Sequence, residues 1–198
     1  MKVFRGSALV MLLSGALAGI SNAAGISTYS FTTCDFPDTG QGTSYTGTFG
    51  EDHDYHSSAS TPSFTVYNRA GSSVTVDNRT GLMWVTDPVD AGISGTYNWE
   101  GAITACESSI GIGGTYAGYS DWRLPNSKEL VSIVDYTRQN PAINTTYFLN
   151  TQTAFYWSAT TYVPNPGVVW GVLFSAGGLN NDVKTDDTHY VRCVRAGP

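Results

Sequence analysis

The pattern of apolar and polar positions predicts two short helices in the middle of the chain. The first begins after Asn98, a residue type that caps helix N-termini. Its apolar face recurs at helical spacing and consists of Trp99, Ala102, Ile103, Cys106 and Ile110. The second begins after Asn126, because Glu129 lies three residues later, where its carboxylate can reach back to the cap amide. Leu130, Ile133 and Val134 give this second helix its apolar face.

Short strands are predicted on both sides of the helices. Before them, strand-like segments at 64–66, 74–76 and 82–85 surround a turn at 77–81, which indicates a hairpin. After them, four strands are predicted at 155–160, 168–175, 179–184 and 189–195. In the segment 168–174 both faces are apolar, as expected of a central strand covered on each side. The order of elements predicts an α+β fold with two helices packed on short, mostly antiparallel strands.

The segment 118–130 joins the two halves of this pattern. Trp122 is expected to fill the core between the two helices, and Arg123 to pair with a carboxylate and anchor a loop. The alternative role for Arg123 is a substrate contact. We favour a structural role, since a single arginine beside a buried aromatic residue is usually structural.

The N-terminus has the pattern of a secretory signal peptide at residues 1–23. Lys2 and Arg5 precede an uncharged apolar run at 8–20, and Ala23 ends a small-residue cleavage site. The run is too short and too rich in Gly and Ala for a membrane span, and no second such run follows. We therefore expect a secreted, periplasmic or cell-surface protein without an integral membrane segment after cleavage. Residues 24–63 form a Ser/Thr/Gly-rich lead-in, and residues 64–198 form one domain.

Charge excludes several classes of partner. Removing Lys2 and Arg5 from the 10 basic residues leaves 8 against 16 acidic residues, a formal charge of −8. Such a surface argues against nucleic acid and anionic lipid, because both need cationic groups to neutralise phosphate. It also argues against sulfated polysaccharides in the absence of a local basic patch.

Three cysteines remain after export, and an oxidising compartment favours one disulfide. Three pairings are compatible with the sequence. We favour Cys106–Cys193, because Cys106 faces the core from the first helix and Cys193 lies on the last predicted strand. Closing this loop of 87 residues contributes about 4–5 kcal/mol on the chain-entropy model. Cys34 is then an unpaired thiol or a handle for another molecule.

The densest polar cluster lies in the lead-in and consists of Glu51, Asp52, His53, Asp54 and His56. Imidazole and carboxylate groups so close together are candidate metal ligands. The alternative is a solvated acidic loop, which we favour, because three ligands would have to converge from one irregular segment. We expect no metal and no other cofactor; calcium is compatible with the sequence but is not indicated by any motif.

Several motifs together resemble the Lcl C-terminal domain family, named after a collagen-like bacterial adhesin. They are DNRTGLMW at 77–84, GYSDWRLPN at 118–126, FYWS at 155–158 and YVRCVR at 190–195. The resemblance covers roughly residues 64–196. It implies a fold related to C-type lectins and formylglycine-generating enzymes, with a disulfide from a helix to the last strand, which is Cys106–Cys193 here.

The resemblance to an adhesin implies a module that binds glycans or a cell surface. Aromatic residues of the late loops would stack on sugars, and polar neighbours would supply hydrogen bonds. The candidates are Tyr162, Asn165, Trp170, Asn180, Asn181 and Asp182. The alternative is that Trp170 belongs to the core, which we favour for this residue, and that Asn180 and Asn181 form a turn.

The two alternative functions are a structural or assembly component and an oxidase. An assembly component could self-associate through Cys34 or an exposed edge strand. The Gly-x-y repeat that trimerises the adhesin is absent, so a trimer is not expected. An oxidase like the formylglycine-generating enzymes needs two converging thiolates for copper, and Cys106 and Cys193 are expected to be committed to structure. Hydrolase motifs are also absent, so we expect no catalysis.

Overall fold

The computed structural model describes residues 39–55 and 62–197. The predicted signal peptide, Cys34, His56 and much of the predicted lead-in lie outside these residues. The elements in chain order are α1 (Asp52–Tyr55), β1 (Phe64–Arg69), β2 (Ser72–Asp77), β3 (Leu82–Val85), α2 (Trp99–Thr104) with a π-helical turn (Ala105–Ser109), α3 (Ser127–Val131), β4 (Phe155–Thr161), β5 (Val168–Leu173), β6 (Gly178–Val183) and β7 (Val194–Ala196). The α+β class predicted from the sequence is confirmed.

The strands form two antiparallel sheets. The first has the order β1-β2-β3-β7 and the second the order β4-β5-β6. The predicted turn between β2 and β3 is held by Asp77, whose carboxylate accepts hydrogen bonds from the Arg79 amide at 3.0 Å and the Thr80 hydroxyl at 2.6 Å. Local side-chain hydrogen bonds of this kind are why Asp favours turns.

The last predicted strand is wrong over most of its length. β7 begins only at Val194, so Cys193 lies just before it. His189 and Tyr190 make single bridges, to Tyr97 and Tyr156. The physical reason is that this segment changes sheets: the Tyr190 amide donates to Phe155 of the second sheet, and Cys193 accepts from Val85 of the first.

Both helix caps form as predicted. Asn98 accepts a hydrogen bond from the Gly101 amide at 2.8 Å, at the start of α2. Asn126 and Glu129 form a capping box at the start of α3. The second helix is shorter than its apolar pattern indicated, since α3 ends at Val131. Ile133 and Val134 are nevertheless buried beyond its end.

The interior consists of two apolar clusters. One surrounds α2 and contains the Cys106–Cys193 disulfide, whose Cα atoms are 5.4 Å apart. The other contains Leu130 and Ile133 together with residues of both sheets, among them Trp84 and Val172. Trp122 is buried in the first cluster, which also contains Ala102 of α2. No helix among the described residues is long and apolar enough to cross a membrane.

Strands β4 and β5 of the second sheet pack closely at Gly171. A Cβ atom at this position would lie 2.3 Å from both the Phe155 ring and the Tyr156 carbonyl oxygen. Glycine is therefore required in β5 for its neighbour strand to approach.

Candidate binding surface on the second sheet

The turn between β4 and β5 is stabilised by its own hydrogen bonds. The Tyr162 amide donates to the Val168 carbonyl at 2.9 Å, and the Asn165 amide donates to the Tyr162 carbonyl at 3.0 Å. The Asn165 side chain accepts from the Gly167 amide at 3.2 Å. The side-chain oxygen of Asn165, which was predicted to bind a ligand, is thus used within the turn. The backbone hydrogen bonds of the turn fix the position of Tyr162.

Trp170 and Tyr162 form an aromatic pair on one face of this sheet. Their ring centroids are 5.2 Å apart with an interplanar angle of 88°, an edge-to-face arrangement. Trp170 is partly exposed, whereas its strand neighbours Val169 and Val172 are buried. Trp170 is in register with Asn181 on β6, and paired residues project from the same face. The structure therefore brings Tyr162, Trp170 and Asn181 together.

Side chains on β6 alternate between the two faces of the sheet, and this separates Asn180 and Asp182 from Tyr162, Trp170 and Asn181. Leu179 and Val183 share the face of Asn181 and are 50% and 47% exposed. Asn180 and Asp182 project from the opposite face. The Asn180 side chain accepts a hydrogen bond from the Asn181 amide at 2.8 Å. The six residues predicted as one ligand-binding set thus belong to two faces and a turn.

A groove of about 700 Å³ runs between α3 and the sheets. Its exposed lining is mostly apolar, from Leu82, Val131, Tyr136 and Leu179, and Ser127 and Lys128 supply polar groups. Leu179 belongs both to this groove and to the face that carries Trp170 and Asn181. The groove therefore borders the face that carries the aromatic pair.

The opposite face of β6 carries a group that the sequence analysis missed. His189 Nε2 lies 3.0 Å from Asp182 Oδ2 and 3.7 Å from Asp186 Oδ2. Hydrogen bonds from the Thr188 hydroxyl and amide lower the pKa of Asp186. The only signal in the sequence was the spacing of two aspartates and one histidine over eight positions, within a segment predicted as strand, turn and strand.

The acidic cluster of the lead-in is used for local structure where it is described. Glu51 accepts from the Tyr45 amide at 2.8 Å, Asp54 accepts from the Gly50 amide at 2.6 Å, and Asp52 accepts from the Thr39 hydroxyl. Within residues 39–55 and 62–197, the one set of three candidate ligand atoms that converge within 4.8 Å is Asp182, Asp186 and His189. His53 contributes to no such set, and His56 lies outside the described residues.

These features define an α+β domain closed by one disulfide, with an aromatic and apolar surface on its three-stranded sheet. The model of the Lcl C-terminal domain family matches residues 73–195, so the chain belongs to this family of bacterial surface-associated domains. The resemblance inferred from the sequence motifs is confirmed. None of the curated proteins is similar enough to this chain to be matched.

Proposed function

We propose that the mature chain is an exported, non-catalytic binding module that recognises uncharged glycans at a bacterial surface. The observation that carries this proposal is the partly exposed Trp170, held edge-to-face by Tyr162 and in register with Asn181. An aromatic ring offers a flat apolar surface to the C–H face of a sugar. A neighbouring amide offers both a donor and an acceptor to sugar hydroxyls.

The surroundings of this pair favour binding over catalysis. In the described residues, the Asn181 side chain makes no hydrogen bond to protein, so its amide is available to a ligand. The groove beyond Leu179 is of the size of small-molecule sites and is mostly apolar with a few polar groups. The Cys106 and Cys193 thiols are joined to each other, so they do not supply the free pair that copper-dependent oxidation needs.

Charge favours an uncharged ligand. The mature chain carries a formal charge of −8, and Lys128 is the cationic residue that lines the groove. A single lysine does not neutralise a sulfated chain, and the remaining acidic surface repels it. The fold related to C-type lectins and the export predicted from residues 1–23 belong to the same proposal.

The test is a glycan array probed with the mature chain, followed by titration of the strongest ligand. We expect binding to uncharged glycans, and Trp170→Ala or Tyr162→Ala should raise the Kd at least about tenfold, as loss of a central aromatic contact does. Tyr67→Ala is the matched control, because Tyr67 is 43% exposed on β1 of the other sheet. No binding to any glycan, or equal Kd values for Trp170→Ala and the unsubstituted chain, would contradict the proposal.

A second candidate function is assembly through the edge of the second sheet. β6 pairs only with β5 among the described residues, and its exposed Leu179 and Val183 are apolar. Exposed edge strands pair with other chains unless charge or shape prevents it. Concentration-dependent oligomers in size-exclusion chromatography, abolished by Val183→Lys and accompanied by no glycan binding, would favour this function.

A further inference from the structure

We propose that Asp182, Asp186 and His189 form a binding site for one divalent transition metal ion, with Zn²⁺ as the best-suited ion. The site lies at the end of β6, on the face opposite Trp170, and it does not depend on the proposed glycan binding. Two carboxylate oxygens and one imidazole nitrogen are protein ligands of the types that Zn²⁺ takes in sites with an open fourth position.

The distances fit a metal shell without rearrangement of the backbone. Zn²⁺ bonds of about 2.0–2.1 Å in a tetrahedral shell place neighbouring ligand atoms roughly 3.3 Å apart. His189 Nε2 lies 3.0 Å from Asp182 Oδ2 and 3.7 Å from Asp186 Oδ2, on either side of that spacing. All three ligand atoms lie within 4.8 Å of one another.

Each carboxylate is oriented by its other oxygen. Asp182 Oδ1 accepts from the Val183 amide at 2.7 Å. Asp186 Oδ1 accepts from the Thr188 amide at 2.9 Å and from the Thr188 hydroxyl at 2.6 Å. Both Oδ2 atoms are therefore directed to the imidazole, and such supporting hydrogen bonds are what fixes ligands in metal sites.

His189 is held even more firmly. It is 9% exposed, and its ring packs against Phe155 and Trp157 at centroid distances of 4.5 Å and 4.6 Å. Its carbonyl accepts from the Tyr97 amide at 2.8 Å. Nδ1 lies 3.4 Å from the Thr188 hydroxyl, whose oxygen can accept a hydrogen bond from Nδ1–H; in that tautomer Nε2 carries no proton and is the metal-binding nitrogen.

A metal ion accounts for the presence of both Asp182 and Asp186 beside His189. A histidine that only forms a hydrogen bond needs one carboxylate. One carboxylate is sufficient to accept the Nε2 proton, yet two carboxylates converge on this nitrogen and repel each other. No Lys or Arg forms an ion pair with either of them in the described part of the chain. The nearby Lys184 is turned to the Trp99 ring, 4.0 Å from its centroid. A divalent cation removes the repulsion.

Exposure and chemistry select the ion. The Asp182 and Asp186 side chains are 39% and 30% exposed, so water can complete the coordination shell. Imidazole suits Zn²⁺ and other transition metals, whereas Ca²⁺ and Mg²⁺ prefer shells made of oxygen alone. The site is therefore expected to discriminate against Ca²⁺.

The test is calorimetric titration of the tag-free, chelator-treated mature chain with Zn²⁺ alone, and with Ca²⁺ for comparison. We expect one Zn²⁺ per chain and a raised melting temperature, because an ion that binds the folded state stabilises it. Asp182→Asn and Asp186→Asn should each weaken binding at least about tenfold. Asp187→Asn is the matched control, because Asp187 is an exposed neighbour outside the set.

Circular dichroism confirms that each variant is folded, and Asn at position 186 keeps an oxygen for the Thr188 hydrogen bonds. Absence of stoichiometric Zn²⁺ binding, or unchanged affinity in Asp182→Asn and Asp186→Asn, would overturn the proposal. Loss of binding in a His53→Gln, His56→Gln double variant instead would place the ion in the lead-in and equally overturn it.

Discussion

Arg123 and Glu129 form a two-pronged ion pair that ties the start of α3 to the segment before Pro125. Arg123 Nη1 lies 2.8 Å from Glu129 Oε2, and Nη2 lies 2.6 Å from Oε1. Glu129 Oε2 also accepts from the Asn126 amide at 2.8 Å, which completes the capping box. Arg123 exchanges backbone hydrogen bonds with Val194 of β7 at 2.9 Å and 3.0 Å. The carboxylate partner predicted for Arg123 is thus Glu129, and the pair connects a helix to the first sheet.

This pair gives a prediction for stability in acid. Burial alone would raise the pKa of Glu129, but the hydrogen bonds from Arg123 and the Asn126 amide outweigh it and lower the pKa. The ionised carboxylate therefore stabilises the fold at any pH above about 4.3, the ordinary pKa of Glu, and this contribution is lost as the pH falls through the lower folded-state pKa. Glu129→Gln should flatten the acid limb of the unfolding free energy, measured by urea denaturation from pH 7 to pH 2.

The matched control is Glu107→Gln, which removes an exposed carboxylate from the π-helical turn after α2. Glu129→Gln keeps one acceptor oxygen for the capping hydrogen bond, so the comparison measures the loss of the charge together with one hydrogen bond from Arg123. Parallel pH profiles for Glu129→Gln and the unsubstituted chain would show that the ion pair contributes nothing to stability.

A substitution of Trp122 distinguishes a structural role of this residue from a role in ligand binding. It is buried, its indole N–H donates to the Tyr116 carbonyl at 3.0 Å, and its ring meets Tyr116 edge-to-face. Trp122→Ala should lower the unfolding free energy by about 3–5 kcal/mol, the usual cost of a large core truncation. Trp122→Phe should cost less. An unchanged melting temperature together with lost ligand binding would contradict the structural role.

The features that could be predicted from the sequence are those formed by residues close together in the chain. The caps at Asn98 and Asn126 are set by residues within one helical turn, so local patterns predicted them. The residues that share a face with Trp170 depend on the register between β5 and β6, which pairs Trp170 with Asn181. Local patterns in the sequence do not define that register. The convergence of Asp182, Asp186 and His189 likewise requires the chain to return across the sheet after β6. No local pattern contains that geometry.

Arg192 also contacts residues far away in the chain, which no local pattern predicts. It gives a third prediction. It is buried, and its guanidinium donates to the carbonyls of Val85 at 3.0 Å, Thr86 at 2.8 Å and Leu149 at 3.0 Å, and to the Thr151 hydroxyl at 2.6 Å. Arg192→Ala removes all four of these hydrogen bonds, three of which go to acceptors in the buried residues Val85, Thr86 and Thr151. The expected loss of unfolding free energy is about 3–5 kcal/mol, measured by urea denaturation.

Arg138→Ala is the control for Arg192, because Arg138 is partly exposed and forms a surface ion pair with Asp135 at 2.8 Å. Its loss should be below about 1 kcal/mol. Equal costs for the two substitutions would show that the buried hydrogen bonds of Arg192 do not hold β3 to the loop before β4.

The Cys106–Cys193 disulfide gives the last prediction. Both cysteines are fully buried, and the bond closes a loop of 87 residues. The double substitution Cys106→Ser, Cys193→Ser should lower the unfolding free energy by about 4–5 kcal/mol, because the unfolded chain regains the entropy that the closed loop removes. Cys34→Ser is the control and should leave the melting temperature unchanged. Peptide mapping without reduction should recover the Cys106–Cys193 pair, and a Cys34-containing disulfide within one chain would contradict the connectivity that joins the π-helical turn after α2 to the segment before β7.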